Sequence, residues 1–225
     1  MASPIAFNKS MGAASSNSIA HSQSPGTAAL TLTSAIVTID AVTSSNTAIG
    51  RRVIITSGGN DSGINWTVVG TNSTGNGIKD VFAGSNGGAA QSNLDFVTVS
   101  SITPSAAVAS TAIAGTNGVG SSPWQQVNDA VTQPVNVGFA VELVSGAVNF
   151  TVQHTFDDPN NVANLTFFNL AAGQTFSPLA FNNAVVNGAA ATIEGAYTQP
   201  ITAYRLLINS GTGVVRFRAI QAGIG

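Results

Sequence analysis

The sequence GAVNFTVQHTFDDP, residues 146–159, alternates between apolar and polar side chains. One face carries Val148, Phe150, Val152, His154 and Phe156, and the other carries Asn149, Thr151, Gln153 and Thr155. A period of two residues is typical of a β-strand with one buried face. The strand should end at Asp157-Asp158-Pro159, because proline has no N–H for a sheet hydrogen bond.

The rest of the chain has the same character in both directions from this strand. Short runs rich in β-branched residues are separated by turn-forming segments such as GGNDSG, TNSTGNG and GSNGG. Residues 199–223 predict a closing hairpin whose turn is NSGTG, because glycine adopts positive φ at little cost. No helical stretch of useful length occurs. The sequence therefore predicts an all-β fold of antiparallel β-sandwich or jelly-roll-like units.

Two β domains are predicted, residues 27–114 and 124–225, joined by a linker at 115–123 with the sequence GTNGVGSSP. Residues 1–26 have no sustained periodicity and predict a flexible N-terminal arm. The arm is either a disordered end or a segment that becomes ordered on a neighbouring subunit through Ile5 and Phe7. We expect it to serve attachment rather than folding, so that its removal leaves the melting temperature unchanged.

Charged residues make up only 7% of the 225, whereas 44% are hydrophobic, and the net charge is −2. A surface covered by hydroxyl and amide groups suits a protein that packs against copies of itself or a larger assembly. The charge gives no basic field for nucleic acid or an anionic membrane. The absence of cysteine excludes disulfides and thiolate metal sites. We expect neither a membrane-spanning segment nor a secretory signal.

The candidate chemical groups favour structural roles. No GxxxxGK[ST] motif is present, so the glycine-rich segments are interpreted as turns. His154 shares the apolar face and is expected to point inward, with its nitrogens bonded to the backbone. Asp157 and Asp158 can either ligate a hard cation or accept hydrogen bonds from turn amides, and the spacing of a calcium loop is absent.

Arg205 lies on a strand with hardly any charge, so we expect a structural ion pair with Asp157, Asp158 or Glu142. Arg216 and Arg218 alternate with apolar residues and are expected to share one solvent or interface face. No catalytic residue, cofactor or metal is predicted.

Three segments resemble a small β module of structural proteins from tailed bacteriophages and prophages: VNFTVQHTFDDP (148–159), VNVGFAVEL (135–143) and the C-terminal segment 199–223. RRVIITSGGNDSGINWTVVGTNSTGNG (51–77) and VTVSSIT (97–103) are similar to other phage virion modules. The long section 160–198 and the N-terminal arm depart from the module.

The resemblance implies a non-enzymatic virion protein assembled in the bacterial cytoplasm. It would be an accessory component of the head (decoration or cement) or of the neck or tail. The implied partners are copies of itself, with a trimer expected, and major capsid or tail/neck proteins. The alternative is a receptor-binding or tail-fibre protein that contacts the host surface. A depolymerase or lysin is disfavoured because carboxylates and histidines are not clustered.

Overall fold

The computed structural model describes residues 5–39, 49–128, 136–156, 179–187 and 192–221, and it confirms the all-β fold. Within these ranges the chain forms sixteen β-strands and no helix. The strands are β1 Ile5–Met11, β2 Ala20–Gln23, β3 Val37–Thr38, β4 Gly50–Asn60, β5 Asn65–Thr71, β6 Gly77–Ala83, β7 Asn86–Phe96, β8 Thr98–Pro104, β9 Ala112–Ser121, β10 Gln125–Gln126, β11 Val137–Ser145, β12 Ala147–Thr155, β13 Leu179–Asn187, β14 Thr192–Tyr197, β15 Ala203–Gly211 and β16 Val214–Gln221.

The strands form three antiparallel sheets. Sheet I has the order β1-β16-β11-β14, and sheet III has the order β3-β8-β5-β6. Sheet II is the largest, with the path β13-β12-β15-β9-β4-β7 and two short strands, β10 and β2, paired to β15 and β9. All strand pairs within the three sheets are antiparallel, as the sequence predicts.

The buried apolar side chains fall into two clusters, each supplied by two sheets. The first core combines residues of sheet I, such as Phe139 and Phe217, with residues of sheet II, such as Phe150 and Leu206. The second core combines residues of sheet III, such as Trp66, with residues of sheet II, such as Ile55. Sheet II therefore contributes to both cores. The predicted buried face of β12 is confirmed for Val148, Phe150 and Val152, which are all buried in the first core. It is wrong for Phe156, which follows the end of the strand and is 64% exposed.

The predicted linker 115–123 needs correction. Most of it belongs to β9, which pairs with β4 on one side and with β15 and β2 on the other. Its glycines serve close backbone contact rather than flexibility. A Cβ atom at Gly118 would lie 2.3 Å from the carbonyl oxygen of Gly211. One continuous sheet consequently crosses the boundary that the sequence predicts.

The closing hairpin is also corrected. β15 belongs to sheet II and β16 to sheet I, so the segment between them connects two sheets rather than two paired strands. The expected positive φ is present, at 110° for Gly211. Gly146, with φ of 77°, lies at the equivalent passage from β11 in sheet I to β12 in sheet II. Turn residues in the sequence give the position of a reversal but not which sheet the next strand joins.

The prediction of an unstructured arm at 1–26 is wrong for its described residues. β1 pairs with β16 along its whole length, and β2 pairs with β9. Ile5 and Phe7 lie opposite Gln221 and Ala219, and their side chains lie outside the description. Met11 has no exposed surface and belongs to the first core.

A buried arginine also fixes the segment that follows β1. Arg51, on β4, has no exposed surface and donates hydrogen bonds to the carbonyl oxygens of Gly12 and of Asn117, the latter at 2.6 Å. A buried guanidinium requires such acceptors, because an unpaired buried charge is strongly destabilising. The N-terminal segment is therefore part of the subunit's own fold.

Met11→Ala tests this correction. We expect the free energy of unfolding to fall by about 2–5 kcal/mol, because a buried side chain is replaced by a cavity. Ile36→Ala is the control, since Ile36 is 60% exposed and its truncation should change stability by less than about 0.5 kcal/mol. Urea unfolding followed by circular dichroism measures both. If Met11→Ala changed stability as little as Ile36→Ala, Met11 would not contribute to the core, and the prediction of an N-terminal arm would be favoured.

Candidate functional site

The candidate site lies on the face of sheet II that points away from the first core. Along β15, Tyr204, Leu206 and Ile208 are buried in that core. Arg205 alternates with them and projects from the opposite face, because successive side chains of a strand point to opposite sides. The side chain of Arg205 therefore points away from the core and belongs to a polar surface.

Arg205 is held by two side chains of the same face. Its Nε donates a hydrogen bond of 2.8 Å to Oε1 of Gln153, the residue opposite it on β12. Its guanidinium carbon lies 4.5 Å from the ring centroid of Trp124, a cation–π geometry. Burial lowers the pKa of Arg205, Asp95 acts to raise it, and Arg52 acts to lower it.

The expected partners of Arg205 are therefore revised. Glu142 does not pair with Arg205. Instead, its Oε2 accepts ion pairs from Arg216 at 3.0 Å and Arg218 at 3.3 Å, on sheet I. Arg216 and Arg218 therefore share one face, as the sequence predicts, and both pair there with the carboxylate of Glu142. Asp157 and Asp158 lie outside the described residues.

A second group of polar side chains continues the same surface across sheet II. Arg52 Nε lies 2.7 Å from Oδ1 of Asp95, and the Ser121 hydroxyl donates a 2.6 Å hydrogen bond to the other carboxylate oxygen. Arg52 also donates to the carbonyl of Ser92 at 3.0 Å. We call the whole set the outer polar cluster; its members are Arg52, Asp95, Ser121, Trp124, Gln153 and Arg205.

One feature of the sequence points to this cluster. Arg51 and Arg52 are adjacent in a strand, so their side chains must point to opposite faces. One is buried and the other joins the outer polar cluster. Asp95 and Ser121 could not be found in this way, because their proximity depends on the pairing of β7, β4 and β9.

The chemistry of the outer polar cluster is that of cross-strand ties. Asp95 is the carboxylate shared by the Arg52 guanidinium and the Ser121 hydroxyl, so it accepts from both. A serine nucleophile needs a base that takes its proton, usually a histidine. His154 is on the other face of sheet II, where its ring lies against Tyr197 of the first core. The contacts of Arg52, Asp95 and Ser121 connect β4, β7 and β9, and the hydrogen bond from Arg205 to Gln153 connects β15 and β12.

His154 lies at the edge of the first core. Its ring makes edge contacts with Tyr197, at 5.3 Å between centroids, and with Phe156, at 5.7 Å. Its Nδ1 is buried and has no hydrogen-bond partner among the described residues. The expected inward direction agrees with these contacts, but the expected bonding of both nitrogens is wrong for Nδ1. Burial lowers the pKa of His154.

Comparison with family models, curated proteins and solved structures found no match for this chain. Among the described residues, no group of three or more His, Cys, Asp or Glu side chains is arranged to hold a metal ion. No helix in the described part of the chain has the length and hydropathy needed to cross a membrane.

Asp95→Ala tests the outer polar cluster. We expect a loss of about 1–3 kcal/mol in the free energy of unfolding, because Arg52 and the Ser121 hydroxyl lose their shared acceptor. Lys79→Ala is the matched control, since it removes one exposed charge elsewhere and should change stability by less than about 0.5 kcal/mol. Thermal and urea unfolding measure the difference. An unchanged stability for Asp95→Ala would show that the cluster is not a structural tie.

The lowered pKa of His154 predicts a pH dependence of folding. The unfolded chain binds a proton near pH 6.5 and the folded chain only at lower pH, so this contribution to stability is present above about pH 7 and is lost on acidification. His154→Gln should therefore lose less stability than wild type between about pH 7 and pH 5. His21→Gln, which removes a histidine at an exposed position, is the matched control. Parallel curves for all three proteins would contradict this assignment.

Proposed function

We propose that this chain is a non-enzymatic structural protein of a bacteriophage virion, an accessory component of the head, as a decoration or cement protein, or of the neck or tail. The observation that carries the proposal is that charged side chains hold the strands of the subunit together. Arg51, Arg52, Asp95 and Arg205 tie the strands of one subunit together. The resemblance of residues 135–143, 148–159 and 199–223 to a phage virion module supports the same role.

Attachment would use surface shape and open strand edges. β1 and β14 end sheet I, and β3 and β6 end sheet III. An edge strand offers unpaired backbone groups to which a neighbouring chain can add a strand. The proposed partners are copies of this chain and major capsid or tail/neck proteins. The proposed location is the virion, after assembly in the bacterial cytoplasm.

The low charge agrees with binding to a protein lattice. Contacts between hydroxyl, amide and apolar groups are little screened by salt, unlike contacts between exposed ions. The outer face of sheet II has such groups, for example Asn209, which donates to Asn149 at 2.8 Å and to Thr151 at 2.9 Å. A surface of this kind holds its partner by close fit over many weak contacts.

The second candidate is a receptor-binding or tail-fibre protein. It is favoured by one observation, the 64% exposure of Phe156 at the end of β12. An exposed aromatic ring is a platform on which an apolar face of a sugar can stack. Of the phenylalanines in the section 160–198, Phe167, Phe168 and Phe176 lie outside the described residues, and nothing is described of the side chain of Phe181.

Fractionation of phage particles tests the proposal. Antibodies against the purified chain should detect it in particles purified through a density gradient from a lysate that contains it, and gold labelling should place it on the head, neck or tail. A chain found only in the soluble fraction would contradict the proposal. The purified protein should not compete with phage adsorption to host cells. Competition that Phe156→Ser abolishes would favour the receptor-binding role.

A further inference from the structure

The outer face of sheet I combines small residues, the exposed apolar side chains of Ile220 and Val144, and paired charges. The inward positions of β11 and β16, such as Phe139 and Phe217, are buried in the first core. The alternate positions lie on the outer face, and they include Ala6, Asn8 and Ser10 of β1, Gly138, Ala140, Glu142 and Val144 of β11, Thr192, Glu194 and Ala196 of β14, and Arg216, Arg218 and Ile220 of β16. Ile220 is 54% exposed.

The charges of this face balance one another. It carries both glutamates of the chain, Glu142 and Glu194, together with Arg216 and Arg218. The formal charge of the face is therefore zero, although it holds several of the chain's few charged residues. A neutral face with both signs can meet a copy of itself without net repulsion.

The register of the strands determines which residues of the face would meet in a two-fold symmetric contact. On the central pair of strands, Ile220 lies beside Gly138, Arg218 beside Ala140 and Arg216 beside Glu142. On the outer pair, Ala6 lies in the same row as Ala196. Rotation by 180° about an axis that runs along the strands, midway between β11 and β16, exchanges the two members of each row.

We propose that this face binds the same face of a second copy of the chain about that two-fold axis. Each row then places complementary residues opposite each other, twice per interface. Ile220 faces Gly138, where an added Cβ atom would meet no other atom of its own subunit within 4 Å. Arg218 faces Ala140, and Arg216 faces Glu142. Two rows set a large side chain against a small one, and the third sets opposite charges together.

The inference rests on the proposed assembly role, since it names a partner and a surface for it. An isologous contact closes on itself and gives a dimer, in place of the trimer expected from the sequence. The faces and edges of sheets II and III stay available to other proteins of the particle. Self-association and attachment are thus assigned to different surfaces.

Sedimentation velocity over a range of concentrations tests the contact. The wild-type chain should be a dimer, and Ile220→Asp and Gly138→Phe should each weaken dimerisation by about 30-fold or more, as expected at the centre of an interface. The matched control is Val81→Asp, on edge strand β6 of sheet III, where Val81 is 50% exposed. It should leave the dimer unchanged. Circular dichroism establishes that each variant is folded.

Charge exchange tests the third row independently. Glu142→Arg should weaken the dimer because it sets arginines against arginines, and so should Arg216→Glu for the opposite reason. The double variant Glu142→Arg/Arg216→Glu should recover most of the loss. Two singles and a double that all dimerise like wild type would overturn the arrangement.

Cross-linking tests the geometry, because the natural chain has no cysteine. A mixture of Gly138→Cys and Ile220→Cys chains should form interchain disulfides faster than a mixture of Gly138→Cys with Val81→Cys. A monomeric wild type, or equal cross-linking of the two mixtures, would overturn the proposal. An oligomer unaffected by Ile220→Asp would also overturn it but leave the virion role intact. Absence from particles, with the dimer present, would contradict only the virion role.

Discussion

Backbone pairing along β9 is the constraint on which the rest of the structure depends. On one edge this strand pairs with β4. On its other edge it pairs first with β2 and then, further along the strand, with β15. Ser122, just after it, extends the junction: its N–H donates to the Leu206 carbonyl at 2.9 Å, and its hydroxyl accepts from the Leu206 N–H at 3.0 Å. Because sheet II contributes to both hydrophobic cores, these hydrogen bonds connect the two halves of the chain.

The N-terminal segment depends on the same junction. It supplies an edge strand to sheet I, a buried Met11 to the first core and the Gly12 carbonyl to the buried Arg51. The N–H of Thr116, on β9, donates to the Ser15 carbonyl at 2.7 Å. Hydrogen bonds therefore connect the N-terminal segment to strands that lie far from it in the sequence. A chain that has lost this segment exposes apolar surface and leaves a buried guanidinium short of an acceptor.

Several of the few ionic groups of the chain connect strands. On sheet II, Arg52, Asp95 and Arg205 connect strands on the face opposite the core. On sheet I, Glu142 lies between Arg216 and Arg218. The other exposed side chains of the described residues include hydroxyl and amide groups, such as those of Ser210 and Asn209. In the proposed role, such groups would contact a partner through complementarity of shape.

The sequence by itself determined the all-β class, the antiparallel pairing and the buried face of β12, because side-chain alternation and turn residues are local signals. The same signal was present but missed in β1, where Ile5, Phe7 and Met11 alternate. Only the tertiary structure decided that residues 115–121 form a strand, that Gly211 leads into another sheet and that Arg205 meets Gln153 and Trp124. Those outcomes depend on which strands become neighbours. Neighbours are selected by the packing of whole sheets, whereas alternation along one strand fixes only which of its faces is buried.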